Sequence, residues 1–345
     1  MSKNQRNSSS KNDGRKAKKT VFSLLSGYNK DGKGVKKKKL TDKEKYSLKS
    51  FFAAYKNKFW NLIFLNLIFM LLVSPVICGL LVYAGVFDTR VPTPSNILYA
   101  PVYGVHLCSP SPATAGLVGI FGLQGVIGVG NTVTEVLTYI TLVVFLTFGL
   151  ANAGMTFIVR AYTRGDFVYL WHDFFAAIKK NFIGALALGF ADLAVIILLV
   201  FSALHYYTAS MDISYTILFF VTFSVAVIYF IMRFYLYILL ITFRLSPAKL
   251  IKNAFILALL GVKRNFTAIL GIGVLLLLNV VIFMISIPVG ITLPFFFLIA
   301  HCSFIACFAA YPNVKKYMID PYYEEHPEKG EQFKIEEEPI FVDRG

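Results

Sequence analysis

Cysteine is scarce in this chain, acidic residues are outnumbered almost two to one by basic ones, and recognisable catalytic motifs are missing altogether. Cys78, Cys302 and Cys307 sit in apolar runs and only Cys108 falls in an expected external loop, so the four cysteines set out no disulfide framework. They read as small apolar residues. There is no P-loop, dinucleotide fingerprint or nucleophile elbow. His301 with Cys302 and Cys307 lies within one apolar run and lacks the spacing of a tetrahedral metal site. Catalysis, cofactors and metals therefore have no support in the sequence, and a non-enzymatic protein is expected. A cleavable signal peptide is not expected either, because the first apolar run starts near Phe59 and far exceeds an h-region of about 7 to 15 residues.

Charged residues make up only 15% of the chain and hydrophobic residues 57%, whereas a soluble domain is nearer about 45–50% apolar. The expected class is an all-α integral membrane protein. The net charge of +15 is uneven: more than half of the 34 Lys and Arg precede Phe59, and nearly half of the 19 acids follow Tyr311. The basic residues belong to a tail and to loop ends rather than to a folded basic surface, which argues against a nucleic-acid partner.

Residues 1–40 are polar, end in Lys36 to Lys39 and have too few apolar residues to order themselves, so a disordered basic tail is expected. Thr41-Asp42-Lys43-Glu44 has the form of a capping box, and the helix after it places Leu48, Phe51, Phe52, Tyr55 and Phe59 on one face. Apolar stretches at about 59–86, 134–159, 182–204, 215–243, 266–287 and 291–311 predict six spans, each at least as long as the roughly 20 residues a crossing needs. Pro288-Val289-Gly290 is the expected linker of the last pair. The membrane domain covers 41–318, and 319–345 forms an acidic tail. Residues 87–133, with Gly at 116, 119, 122, 125 and 128, read as an external insertion: a flexible apolar loop on the membrane, with a re-entrant segment as the alternative.

Between the second and third spans, Phe167, Leu170, Trp171, Phe174, Phe175 and Ile178 fall on one helical face, and His172, Asp173, Lys179 and Lys180 on the other. That pattern predicts a helix lying at a membrane surface. Its end, FFAAIKKNF at 174–182, resembles FFAAYKNKF at 51–59 and ILALLGVKRNF at 256–266, where Ser246-Pro247 starts a helix with a stripe of Leu250, Ile251, Ala254, Phe255 and Ala258. The expected unit is surface helix, basic hinge, span, external turn, span. Three such hairpins make six spans, with amphipathic helices before spans 1, 3 and 5. Common descent and convergence on interfacial aromatic and Lys residues both explain the likeness. Parallel repeats would place a central site between the hairpins.

The loop at 160–181 carries Arg160, Arg164, Lys179 and Lys180, and the loop at 244–265 carries five basic residues, whereas 87–133 has only Arg90 and 205–214 none. Positive loops stay in the cytoplasm, so both termini are expected there, with the basic run from Lys33 to Lys58 drawn to anionic lipid of the cytoplasmic leaflet. Asn61, Asn66, Asn152 and Asn279 read as hydrogen-bonding links between helices. Two charges lie inside spans. Asp192 is 12 residues beyond Lys180 and Arg233 is 11 before Arg244, so at about 1.5 Å per residue both lie about 16–18 Å from the cytoplasmic ends of adjacent spans. Equal depth permits an ion pair, either a lock between two spans or part of a solute or ion pathway.

Ala151-Asn152-Ala153-Gly154-Met155-Thr156-Phe157-Ile158-Val159-Arg160, then Arg164-Gly165-Asp166 with Leu170-Trp171-His172-Asp173-Phe174, and Met232-Arg233-Phe234-Tyr235-Leu236-Tyr237 with Lys252-Asn253-Ala254, resemble the YesL-like integral membrane proteins of Gram-positive bacteria, as does Ser74-Pro75-Val76. The likeness runs from about Phe51 to Tyr311. It departs at Leu150-Ala151-Asn152, where the family usually carries Gly-Pro, and in the longer 87–133 stretch. The resemblance implies a bacterial plasma-membrane protein often encoded near carbohydrate uptake systems, and supplies no active site. The reading that follows is a non-enzymatic accessory or regulatory protein whose partner face is the surface motif of Arg160, Arg164, Trp171, His172 and Asp173, with a sugar ABC transporter component as partner. The alternative is a small-solute transporter or channel using Asp192 and Arg233.

Overall fold

A computed structural model describes residues 42–326 apart from 95, 210 and 211. Thr41 of the expected capping box, the basic tail and all of the acidic tail beyond residue 326 lie outside the described residues. Six helical segments, Leu48–Val73, Thr132–Arg164, Phe182–Thr208, Ile213–Thr242, Val262–Ile285 and Ile287–Glu325, are long and apolar enough to cross a membrane.

A short α1 (Asp42–Lys45) precedes α2 (Leu48–Val73). The expected basic hinge at the first entrance is absent, since α2 runs unbroken through Lys56 and Lys58 into the apolar stretch. No Gly or Pro stands there to stop it, and Asn57 remains within the helix. A break comes instead at Ser74-Pro75, which starts α3 (Pro75–Tyr83). Proline is tolerated in a first helical turn, where no amide is required.

The expected flexible loop at 87–133 is instead structured. β1 (Thr89–Pro94) pairs antiparallel with β2 (Gln124–Val129), Thr89 opposite Val129 and Pro94 opposite Gln124. Between them, α4 (Tyr99–Cys108) packs on α5 (Pro112–Phe121). The glycine spacing of three concealed two different structures: Gly116 and Gly119 are in a helix, while Gly125 and Gly128 are in a strand. Ser111 caps α5 by accepting from Thr114 N at 3.1 Å, and Asn131 caps α6 (Thr132–Leu142) by accepting from Val133 N at 2.9 Å.

α6 continues almost directly into α7 (Val144–Arg164), five residues past the expected limit. α7 is the hub, packing against α8 (Leu170–Lys180), α9 (Phe182–Thr208), α10 (Ile213–Thr242) and α14 (Ile299–Val314). Its Ala151–Thr156 stretch is buried throughout, because small side chains let several helices reach one axis. Arg164-Gly165-Asp166 ends it: Gly165 adopts φ 85°, the left-handed cap that glycine accepts without strain. α11 (Pro247–Leu260) buries Leu250, Ala254, Leu257 and Ala258, whereas the expected stripe members Ile251 and Phe255 are exposed.

The last two apolar stretches are not joined by a Pro-Val-Gly loop. α12 (Val262–Ile285) breaks at Ser286 alone, and Pro288, Val289 and Gly290 belong to α13 (Ile287–Leu293). Gly290 is needed there because a Cβ would strike the Phe283 backbone. Nor does the chain leave the helix at Pro312: α14 carries that proline, and helical structure continues through α15 (Asp320–Glu325), so the expected acidic tail begins inside a helix.

Pro294 opens a π-helical turn, Pro294–Leu298, between α13 and α14. Two asparagines mend it. The Gly290 carbonyl, which a proline at 294 cannot serve, accepts from Asn279 Nδ2 at 3.1 Å. Asn66 inserts its amide into the widened turn, donating to the Pro294 and Phe295 carbonyls at 3.0 and 2.6 Å and accepting from Ala300 N at 2.8 Å. Asn66→Leu strands backbone groups in apolar surroundings and is expected to destabilise the bundle by about 1–3 kcal/mol. Detergent unfolding followed by circular dichroism measures it.

Candidate functional site

Asp192 reaches its place because two helices touch backbone to backbone. A Cβ on Gly149 of α7 would collide with the Ala185 carbonyl and Gly189 of α9, so only glycine permits this approach. Gly189 lies three residues before Asp192 and shares its face, and the Asp192 carboxylate is completely buried.

α10 surrounds that carboxylate with three residues four apart, Tyr229, Arg233 and Tyr237, which stack along one helix face. Asp192 Oδ1 accepts from Tyr229 Oη and Arg233 Nε, both at 2.8 Å. Oδ2 accepts from Tyr237 Oη at 2.8 Å and Arg233 Nη2 at 3.0 Å, with Nε also 3.1 Å away. A carboxylate has about four acceptor positions, and all four are taken. Arg233 in turn lies 5.8 Å from the Phe148 ring centroid of α7, a cation–π distance. A fork-like Arg–carboxylate pair, closed by two phenols, is the geometry in which burying two charges is least costly. Removing one phenol in Tyr237→Phe leaves a vacant acceptor position, with an expected loss of about 1.5–3 kcal/mol. Tyr229→Phe, at a less buried position, is expected to lose less; unfolding midpoints of the two variants check the order.

The sequence pairs Asp192 with Arg233 on depth, but the part played by the two tyrosines was missed, although their spacing about Arg233 was visible. Also missed was a second buried cluster, in which Tyr235 Oη donates to Asn265 Oδ1 at 2.7 Å and accepts from Asn313 Nδ2 at 2.9 Å, tying α10, α12 and α14 together. Asn152 bonds within its own helix, to the Phe148 carbonyl at 2.8 Å.

The remaining candidates do not form one site. Arg160 is half-buried rather than on the surface, and its Nη1 donates to Thr242 Oγ1 of α10 at 2.6 Å. Arg164 pairs with Asp166 at 3.0 Å in a half-exposed bridge, which contributes little. On α8, Phe174, Ala177 and Ile178 are buried, with the Phe174 ring filling the space that Gly154 leaves on α7. Trp171 and Phe175 are exposed and stacked on each other at 6.1 Å. Asp173 accepts from Tyr169 N and contacts His172 Nδ1, both at 2.8 Å, so it secures the helix start. Among the described residues, no three of His, Cys, Asp and Glu converge to hold a metal ion. His301 stacks on Phe297 at 3.8 Å.

Six long apolar helices, two of them joined by a charge pair, are compatible with a multi-pass membrane protein. In comparisons with family models, curated proteins and solved structures, nothing matched this chain.

Proposed function

We propose that this protein is a non-enzymatic accessory or regulatory component of a bacterial plasma membrane, associated with carbohydrate uptake as its YesL-like features imply. Three hairpins cross the bilayer from the cytoplasmic side, both termini are cytoplasmic, and α8 and α11 lie at the inner interface. Trp171 and Phe175 then sit at headgroup level. Lys179, Lys180 and Arg244 line an open groove of about 440 Å³ at the ends of α9 and α10, placed to meet anionic headgroups.

One observation favours this reading over a solute pathway: the Asp192 carboxylate already has four donors. A translocation site must exchange partners with its cargo, and this one has no vacant acceptor position. The charges lock α9 to α10, leaving the exposed edge of α8 as the more accessible chemistry. Proteoliposomes are expected to show no sugar or ion flux above empty vesicles, and purification in mild detergent to recover a sugar-transporter component. Trp171→Ala with Phe175→Ala should lose that component while the bundle remains folded. Repeated recovery of no transporter component, or flux abolished by Asp192→Asn, contradicts the reading.

A further inference from the structure

Arg233 has a second neighbourhood. It borders a cavity of about 290 Å³ between α7, α10, α12 and α14, with mostly apolar walls. The carboxylate engages Nε and Nη2, and the remaining nitrogen, Nη1, makes no hydrogen bond to the described residues and is not sealed by protein. Thr156 and Ser303 bring hydroxyl groups to the same cavity, and no carboxylate lines it.

Charge narrows the occupant. Asp192 already balances the guanidinium, so a further anion would be a third charge of low dielectric surroundings without a counterion of its own. A cation would meet a guanidinium and no acid. An uncharged molecule with an acceptor oxygen satisfies Nη1 without either cost. Geometry narrows it further. Phe230 and Leu276, both on the lining, are 38% and 46% exposed, so the cavity reaches the outer apolar surface of the spans between α10 and α12. Its volume suits a head group and a few carbons, with an apolar chain left outside.

We infer that this cavity binds the uncharged, oxygen-bearing end of a molecule dissolved in the bilayer, a carbonyl or ester oxygen accepting from Arg233 Nη1 and the chain leaving past Phe230 and Leu276. An acylglycerol and a quinone share this chemistry. The inference does not depend on the partner proposed above, since the cavity and the free nitrogen exist whatever α8 binds.

The test uses the full chain in phosphatidylcholine nanodiscs, titrated separately with radiolabelled monoolein and with decylubiquinone. Saturable binding of one molecule per chain is expected for at least one probe, and which probe binds identifies the source. Ser303→Leu and Ala306→Leu fill the cavity without touching the charge pair, and each is expected to weaken binding at least tenfold with the helical circular dichroism unchanged. Decanoate, an anion of similar apolar length, is expected not to compete. Absence of saturable binding by both probes, binding unaltered in the folded filled variants, or displacement by decanoate overturns the inference.

Discussion

Replacing Asp192 by asparagine is expected to remove about 3–5 kcal/mol from the stability of the helix bundle, the range observed when one partner of a buried ion pair is lost. The acid is completely buried and takes four hydrogen bonds within 3.0 Å, two from Arg233 and one each from Tyr229 and Tyr237. Asparagine keeps the shape but leaves the guanidinium without a counter-charge and sets an amide nitrogen against donors. Whole domains are stable by only about 5–15 kcal/mol, so most of the margin would go. Arg233→Met should be similarly damaging, because it strands the carboxylate. The double variant Asp192→Leu with Arg233→Met is expected to recover much of the loss, since neither charge is then buried alone. Detergent unfolding of the three variants supplies the cycle, and additive losses in the double variant would show that the residues do not act as a pair.

The second large effect is expected at Gly149. A Cβ there meets the Ala185 carbonyl and the Gly189 backbone, and backbone cannot turn away as a side chain can. α9 must shift as a body and carry Asp192 from its donors. Overpacking commonly costs about 1–3 kcal/mol, and Gly149→Val should lie at the top of that range or above it. Gly273 of α12 is the control, because a Cβ there meets nothing within 4 Å. Gly273→Ala is expected to be neutral or stabilising by roughly 0.5–1 kcal/mol, as for glycine in an open helix position. The contrast separates helix approach from helix propensity, and equal unfolding midpoints for Gly149→Val and Gly273→Ala would refute the close crossing.

Much of this organisation is visible in one dimension because lipid imposes simple rules. Apolar length marks each crossing, and a charge within a crossing calls for a partner at its own depth, which is how Asp192 and Arg233 find each other on paper. Tyr229 and Tyr237 obey the same logic at spacings of four from Arg233, and could have been read as its companions. What stays hidden is choice of neighbour. Gly149 and Gly189 look like any glycines in apolar runs until two helices cross there, and Asn66 reveals nothing of the proline more than two hundred residues later whose broken turn it repairs. The hinge expected at Lys56 fails for a related reason: basic and aromatic residues mark an interface but do not end a helix. In the 87–133 stretch, evenly spaced glycines masked a strand pair and a helix pair, of which the local signal was the Ser111 cap of α5 rather than a hydrophobic period.

The membrane arrangement is tested most directly by labelling with an impermeant maleimide in intact and in opened cells. Cys108 is exposed in the insertion and the His172 side chain is exposed at α8, so native Cys108 and His172→Cys in a Cys108→Ser background report on opposite ends of the bundle. The account predicts that Cys108 reacts in intact cells and that the cysteine placed at 172 reacts only after opening. Labelling of position 172 from outside would contradict it.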